Sequence, residues 1–306
     1  MPNPRADYSP IFDRPALHHP EQARVLVWPV INVEVWDPKA AMPRTVLPAP
    51  QGREVVPDVA NFGWFDYGLR VGFWRLKRVL DSHGIRATLS VNAVVCDEYP
   101  QLVSAAGEAG WELLAHGYIQ RLINVEPDER AMIRKTLNRI EQFSGTRPRG
   151  WMGPGLAETF DTPDILAEEG VEYVCDWCND DQPYAMNVRS GELISVPYTV
   201  ELNDIAIYAV QHHSSSEILD RTKSQFDTLY KEGAESPRVM AVSTHPYITG
   251  AAHRISYFDQ IFDYLQSFEG AVFVTGGEVL DWYRDATSAE RSQHGVATQG
   301  GASAQP

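Results

Sequence analysis

Three residues in this sequence have the type and the setting for acid–base chemistry: Glu34, His116 and His245. Glu34 interrupts the apolar run Arg24-Val-Leu-Val-Trp-Pro-Val-Ile-Asn-Val-Glu-Val-Trp36. An ionisable group in such a run is costly unless it is paired or used. A buried ion pair with Arg70 would satisfy it. Used chemically, a buried carboxylate should have a raised pKa and act as a general base. His116 closes Trp111-Glu-Leu-Leu-Ala-His-Gly117, where a lone histidine is often only structural. His245 closes Arg238-Val-Met-Ala-Val-Ser-Thr-His245 and precedes Pro246. Asp176, Asp180 and Asp181 follow another apolar run; paired acids serve a metal or proton transfer, or merely cap a turn. One of the three is expected to orient His245, as a carboxylate behind a working imidazole does. Trp36, Phe65, Tyr67 and Trp151 either wall a flat substrate or belong to the core. Arg70, near a helix start, is better placed than Arg75 to reach a site.

The elements that must position these groups alternate. Strands are expected at 24–36, 86–92, 111–117, 150–152, 171–177, 193–199, 238–245 and 271–275. Helices are expected at 67–83, 99–109, 126–144, 162–169, 217–232 and 257–267. The first shows helical spacing, with Leu69, Phe73, Leu76, Val79 and Leu80 on one face. Such strand–helix units predict an α/β fold with a parallel sheet closed into a barrel, its chemistry at the C-terminal strand ends. The segment from Asp37 to Phe65 carries prolines at 38, 43, 48, 50 and 57, which forbid a regular element. A loop this long in a compact domain is usually functional. Residues 1–22 read as a surface arm, 23–286 as one barrel domain, and 287–306 as a disordered tail.

The formal net charge of −15, with no basic block, excludes a nucleic-acid or anionic-lipid binder. No apolar run approaches the roughly 18 residues of a membrane span. The N-terminus lacks the basic-then-apolar order of a signal peptide, so a cytoplasmic location is expected. Three cysteines make no disulfide scaffold, and Cys175-Asp-Trp-Cys178 lacks a second pair to complete a zinc site. The expected partners are a small-molecule substrate and further copies of the chain, in a homo-oligomer.

The block Asp66-Tyr-Gly-Leu-Arg-Val-Gly-Phe-Trp-Arg75, continuing to His83-Gly-Ile-Arg-Ala-Thr88, resembles the polysaccharide deacetylase superfamily, carbohydrate esterase family 4. Within it the chain looks most like the branch of metal-independent allantoinases and cyclic-imide hydrolases. Trp111 to Gly117, Gly145-Thr-Arg-Pro-Arg-Gly-Trp151, Asn179-Asp-Asp-Gln-Pro-Tyr184 and Thr244-His-Pro-Tyr247 carry the same resemblance, which runs from about Val25 to Tyr283. Singly the motifs are weak; in this order and spacing they are strong.

The resemblance implies a distorted (β/α)7 barrel of the NodB homology type. It also implies a general-acid role for His245 and a metal-binding tradition at the other motifs. Typical members carry paired aspartates where this chain has Glu34, and a second histidine where it has Gln120. They carry an arginine where it has Met152. A metal on Glu34, His116 and Gln120 would have an amide among its ligands, a poor donor for zinc. The expectation is no metal, or a weakly held divalent ion. The function implied is hydrolysis of a C–N bond in a small amide, imide, lactam or ureide ring. Its candidates are Glu34, His116 and His245 for catalysis and Trp36, Tyr67, Arg70, Trp151 and Asp180 for substrate. Backbone N–H groups near Gly153 and Gly155 are the expected oxyanion donors. The alternatives are metal-dependent deacetylation of an N-acetylated sugar and a non-catalytic ligand-binding barrel.

Overall fold

Alternating strands and helices assemble into one curled sheet with helices packed outside it. The structure is a computed structural model that describes residues 3–49 and 52–299. Its strands are β1 (Val25–Val33), β2 (Thr88–Val91), β3 (Glu112–Ala115), β4 (Gly150–Trp151), β5 (Tyr173–Val174), β6 (Tyr184–Ala185), β7 (Ile194–Ser195), β8 (Arg238–Thr244) and β9 (Ala271–Phe273). They run in the order β6-β7-β5-β4-β3-β2-β1-β8, with β9 also on β1. Among the described residues only the β6–β7 pairing is antiparallel. This curled α/β half-barrel matches the expected deacetylase-type fold. Its strands are more numerous and mostly shorter than the sequence implies.

All nine residues of β1 are buried, as a central strand covered on both faces requires. Side chains alternate along it. Leu26, Trp28 and Val30 pack inside the curl with Leu114, Met152 and Cys175. Val25, Val27, Ile31 and Val33 face the helices. Asn32 and Glu34 continue the inner face, so Glu34 stands where the interior opens at the strand ends.

The helix expected at 67–83 begins earlier. Asp58 caps α1 (Val59–Tyr67), and its side chain accepts the Asn61 N–H. Asn61 in turn binds the backbone of Val46 and Leu47, so the proline-rich loop is stapled to α1. A π-turn at Gly68–Gly72 then leads into α2 (Phe73–Ser82). The remaining helices are α3 (Val95–Glu98), α4 (Pro100–Glu108), α5 (Glu129–Ser144), α6 (Thr162–Glu168), α7 (Glu217–Glu232), α8 (Ile255–Leu265) and α9 (Gly276–Gln299). α5 ends as its sequence predicts, with Gly145 at φ +76°. α2 buries Phe73, Leu76 and Leu80 completely, each contributing roughly 1.5–3 kcal/mol. α9 extends helix into the segment expected to be a disordered tail, which has no helix-breaking proline before its last residue. Residues 300–306 lie outside the described residues. The N-terminal arm lies on the barrel: Arg14 pairs with Asp180, and Trp282 donates to the His18 carbonyl.

Candidate active site

Three strand ends converge on one carboxylate. Glu34 follows β1, His116 follows β3, His245 follows β8, and Gln120 comes from the turn after His116. His116 Nε2 lies 3.8 Å and His245 Nε2 3.5 Å from Glu34 Oε1. Gln120 donates its amide N–H to the same oxygen at 2.9 Å. On the other carboxylate oxygen, Trp36 Nε1 donates at 3.3 Å and the Tyr247 hydroxyl approaches to 3.5 Å. Glu34, His116 and His245 are 6%, 3% and 4% exposed.

Each imidazole is oriented from behind. His116 Nδ1 lies 2.8 Å from the Met152 carbonyl oxygen, an acceptor, so Nδ1 carries the hydrogen. His245 Nδ1 lies 2.7 Å from Asp204 Oδ1, and Asp204 Oδ2 accepts the His245 backbone N–H and the Thr249 hydroxyl. Asp204 is fully buried and was not among the acids expected to orient His245. It reaches His245 because Asn203 forms a parallel bridge with Ser243 of β8, which brings the next residues side by side. The one sequence signal is an acid that opens the apolar run Ile205-Ala-Ile207.

Electrostatics corrects a second expectation. Burial pushes the Glu34 pKa up, but hydrogen bonds and charge from His116 and His245 outweigh it and hold the carboxyl well below its usual range. Burial likewise opposes charge on His245, yet Asp204 and Glu34 raise its pKa to about 9. At neutral pH the pair is therefore carboxylate and imidazolium.

Four residues expected at the site stand elsewhere. Arg70 is 76% exposed on its side chain and pairs with Asp66 one helical turn away. Tyr67 gives its hydroxyl and ring to Arg75. Trp151 lies in the outer layer against the helices, because alternation turns its neighbour Met152 inward. Asp180 sits at the opposite end of the barrel with Arg14: after β5 the chain doubles back until the Asp181 carbonyl accepts from Val239, near the start of β8. The Gly153 N–H, expected to serve an oxyanion, is tied to Asp176 Oδ1 at 2.7 Å. Cys175 is fully buried, and burial pushes its thiol pKa well up, which favours a packing role.

Above Glu34 the ring of Trp36 stacks on Phe65 of α1, centroids 4.7 Å apart. Tyr247 meets Trp36 and Trp64 edge-on at 5.3 and 4.8 Å. The loop carrying His245 is pressed against the π-turn: a Cβ on Gly72 would collide with the Pro246 carbonyl, and one on Gly68 with the Tyr247 backbone.

A metal fits this donor set poorly. Among the described residues no group of three His, Cys, Asp or Glu side chains is placed to hold an ion. Gln120 turns N–H toward Glu34, while its oxygen accepts from Asn92 at 3.2 Å. Glu34 and the free nitrogen of His116 are compatible with a weakly held divalent ion; among the described residues no third such side chain, His245 included, is placed to complete a tight site.

A family model described as polysaccharide deacetylase matches residues 62–174, a span that includes His116 and Gln120. A Schizosaccharomyces pombe relative whose name assigns it to the polysaccharide deacetylases is 29% identical over 239 residues, 70% of this chain and 73% of its own. The Helicobacter pylori peptidoglycan deacetylase is 21% identical over 264 residues, 75% of this chain and 89% of its own. Over these spans the chain is similar to polysaccharide deacetylases. The fold of this chain recurs in the crystal structure of PuuE allantoinase, with TM-score 0.79, 24% identity and coverage of 92% of this chain and 98% of that one. A Pseudomonas aeruginosa PAO1 structure named within the same superfamily gives TM-score 0.78, 23% identity and coverage of 89% and 95%.

Proposed function

We propose that this protein hydrolyses a C–N bond in a small cyclic amide, imide or ureide, with Glu34 as base and His245 as acid. One observation carries the reading: the Glu34 carboxyl and the His245 imidazole face each other 3.5 Å apart beside the packed rings of Trp36, Phe65 and Tyr247. The paired pKa displacements put both groups in the protonation state that acid–base catalysis at neutral pH needs. A polymer requires an open groove, whereas Glu34, His116 and His245 are all buried; a small ring suits a site this closed. The overall likeness to an allantoinase agrees with that class.

In the reaction a water oxygen attacks the carbonyl carbon and its proton passes to Glu34. The C=O π pair moves onto oxygen. Collapse of the tetrahedral intermediate re-forms the carbonyl and breaks the C–N bond, and His245 protonates the departing nitrogen. Transfer of the proton from Glu34 to His245 restores the starting state. His116, fixed by the Met152 carbonyl, presents Nε2 to orient the water or the substrate.

The test is turnover by the purified protein of hydantoin, succinimide, dihydrouracil and allantoin, followed as new carboxylate, beside acetate release from chitin and peptidoglycan oligomers. Ring opening with no acetate release is expected. Acetate release at a useful rate, without ring opening, would replace this reading with sugar deacetylation.

A further inference from the structure

A carbonyl under attack needs donors for the charge that gathers on its oxygen. The backbone candidate at Gly153 is already bonded to Asp176, and the donor set around Glu34 makes no tight metal site. The donors now surrounding Glu34 are Trp36 Nε1, two residues along the same segment at 3.3 Å from Oε2, and two side chains that reach it from other segments. Gln120 sends an N–H to Oε1 at 2.9 Å, and Tyr247 sends its O–H toward Oε2 at 3.5 Å.

We propose that Gln120 and Tyr247 are the oxyanion-stabilising catalytic residues, and that their hydrogen bonds pass from Glu34 to the substrate's carbonyl oxygen during attack. This rests on the proposed hydrolysis. When Glu34 takes the proton from water it loses its negative charge, and with it much of its hold on neighbouring donors. The same event places a negative charge on the carbonyl oxygen a few ångströms away. Donors that served the first charge then serve the second, with little reorganisation.

Both donors are held in place. The Gln120 oxygen accepts from Asn92 Nδ2 at 3.2 Å, and Asn92 Oδ1 accepts the Val35 N–H at 2.8 Å. Tyr247 is 3% exposed, its ring lies among Trp36, Trp64 and Phe65, and its backbone presses on Gly68. Its hydrogen bond to Glu34 is long, so little is lost in turning to a closer, fully charged acceptor. Gln120 thus stands where typical relatives have a metal-binding histidine, and supplies by hydrogen bonding the polarisation an ion would give.

The experiment compares the wild-type protein with Tyr247→Phe and Gln120→Ala, on the ring substrate and on 4-nitrophenyl acetate. Removing one such donor commonly costs about 100- to 1000-fold in kcat. We expect a loss of that order in each variant, KM changing less than about threefold, and a Tyr247→Phe melting temperature close to wild type because phenylalanine keeps the ring packing. Wild-type kcat in Tyr247→Phe overturns the proposal, as does one tightly held metal ion per wild-type chain by elemental analysis. Gln120→His, which restores a second histidine, should gain stoichiometric zinc in equilibrium dialysis where the wild type takes up little. The two readings fail separately. Absence of ring opening removes the proposed function. The donor pair is judged on 4-nitrophenyl acetate, whose carbonyl develops the same charge, and a wild-type protein inert toward that ester removes the pair as well.

Discussion

Asp204 grips His245 at two points: Oδ1 bonds the ring Nδ1 at 2.7 Å, and Oδ2 accepts the backbone N–H at 2.8 Å. The first contact fixes which ring nitrogen faces Glu34 and stabilises the charged imidazole; the second fixes the residue that carries it. Asp204 is accordingly a positioning residue. In Asp204→Asn the charge that helps raise the His245 pKa to about 9 is gone. The wild-type kcat/KM should fall as pH rises through about 9, where His245 loses its proton. In Asp204→Asn that basic limb should move to lower pH, with turnover reduced at its optimum. An unmoved basic limb in the variant would show that another group sets it.

Glu34 supplies the base. Because two imidazoles hold its carboxyl below the usual range, the acidic limb of kcat/KM should lie below pH 4.5, as far as the fold survives. Glu34→Gln keeps size and removes the charge. It should lower kcat at neutral pH by about 100-fold or more, the scale of a lost general base, with near-UV circular dichroism retained. Full activity in this variant would remove Glu34 from the reaction.

The contact between Gly72 and Pro246 is a backbone-to-backbone approach with no room for a side chain. Gly72→Ala must push the π-turn and the His245 loop apart. Overpacking of this kind costs typically about 1–3 kcal/mol. The variant should melt at lower temperature and also lose kcat, because the displaced loop carries both His245 and Tyr247. A lowered melting temperature with unchanged kcat would mean that the strain is absorbed in the helix.

Arg70 and Asp180 provide the opposite check. Arg70 faces solvent beside Asp66, and Asp180 pairs with Arg14 at the far end of the barrel. Arg70→Ala and Asp180→Asn should keep kcat and KM within about twofold, and Arg70→Ala should change stability little, as exposed ion pairs contribute about 0–1 kcal/mol. A large loss of turnover in either would place that residue at the substrate.

Much of this protein is legible locally. Apolar runs broken by glycines and amphipathic spacing mark most strands and helices, because burial imposes a period of two on a strand and 3.6 on a helix. Glu34, His116 and His245 stand out for the same reason: each is a polar group at or near the end of an apolar run. Other assignments needed the closed sheet. Asp204 reaches His245 across 41 residues only through the Asn203–Ser243 bridge. The depressed pKa of Glu34 comes from two imidazoles delivered by other strands, whereas burial alone predicts a raised one. Whether Gln120 offers oxygen or N–H depends on Asn92 from the end of β2. Spacing along the chain determined which residues reach the strand ends; tertiary register decided which of them face one another, because hydrogen-bond partners and electrostatic fields belong to neighbours in space.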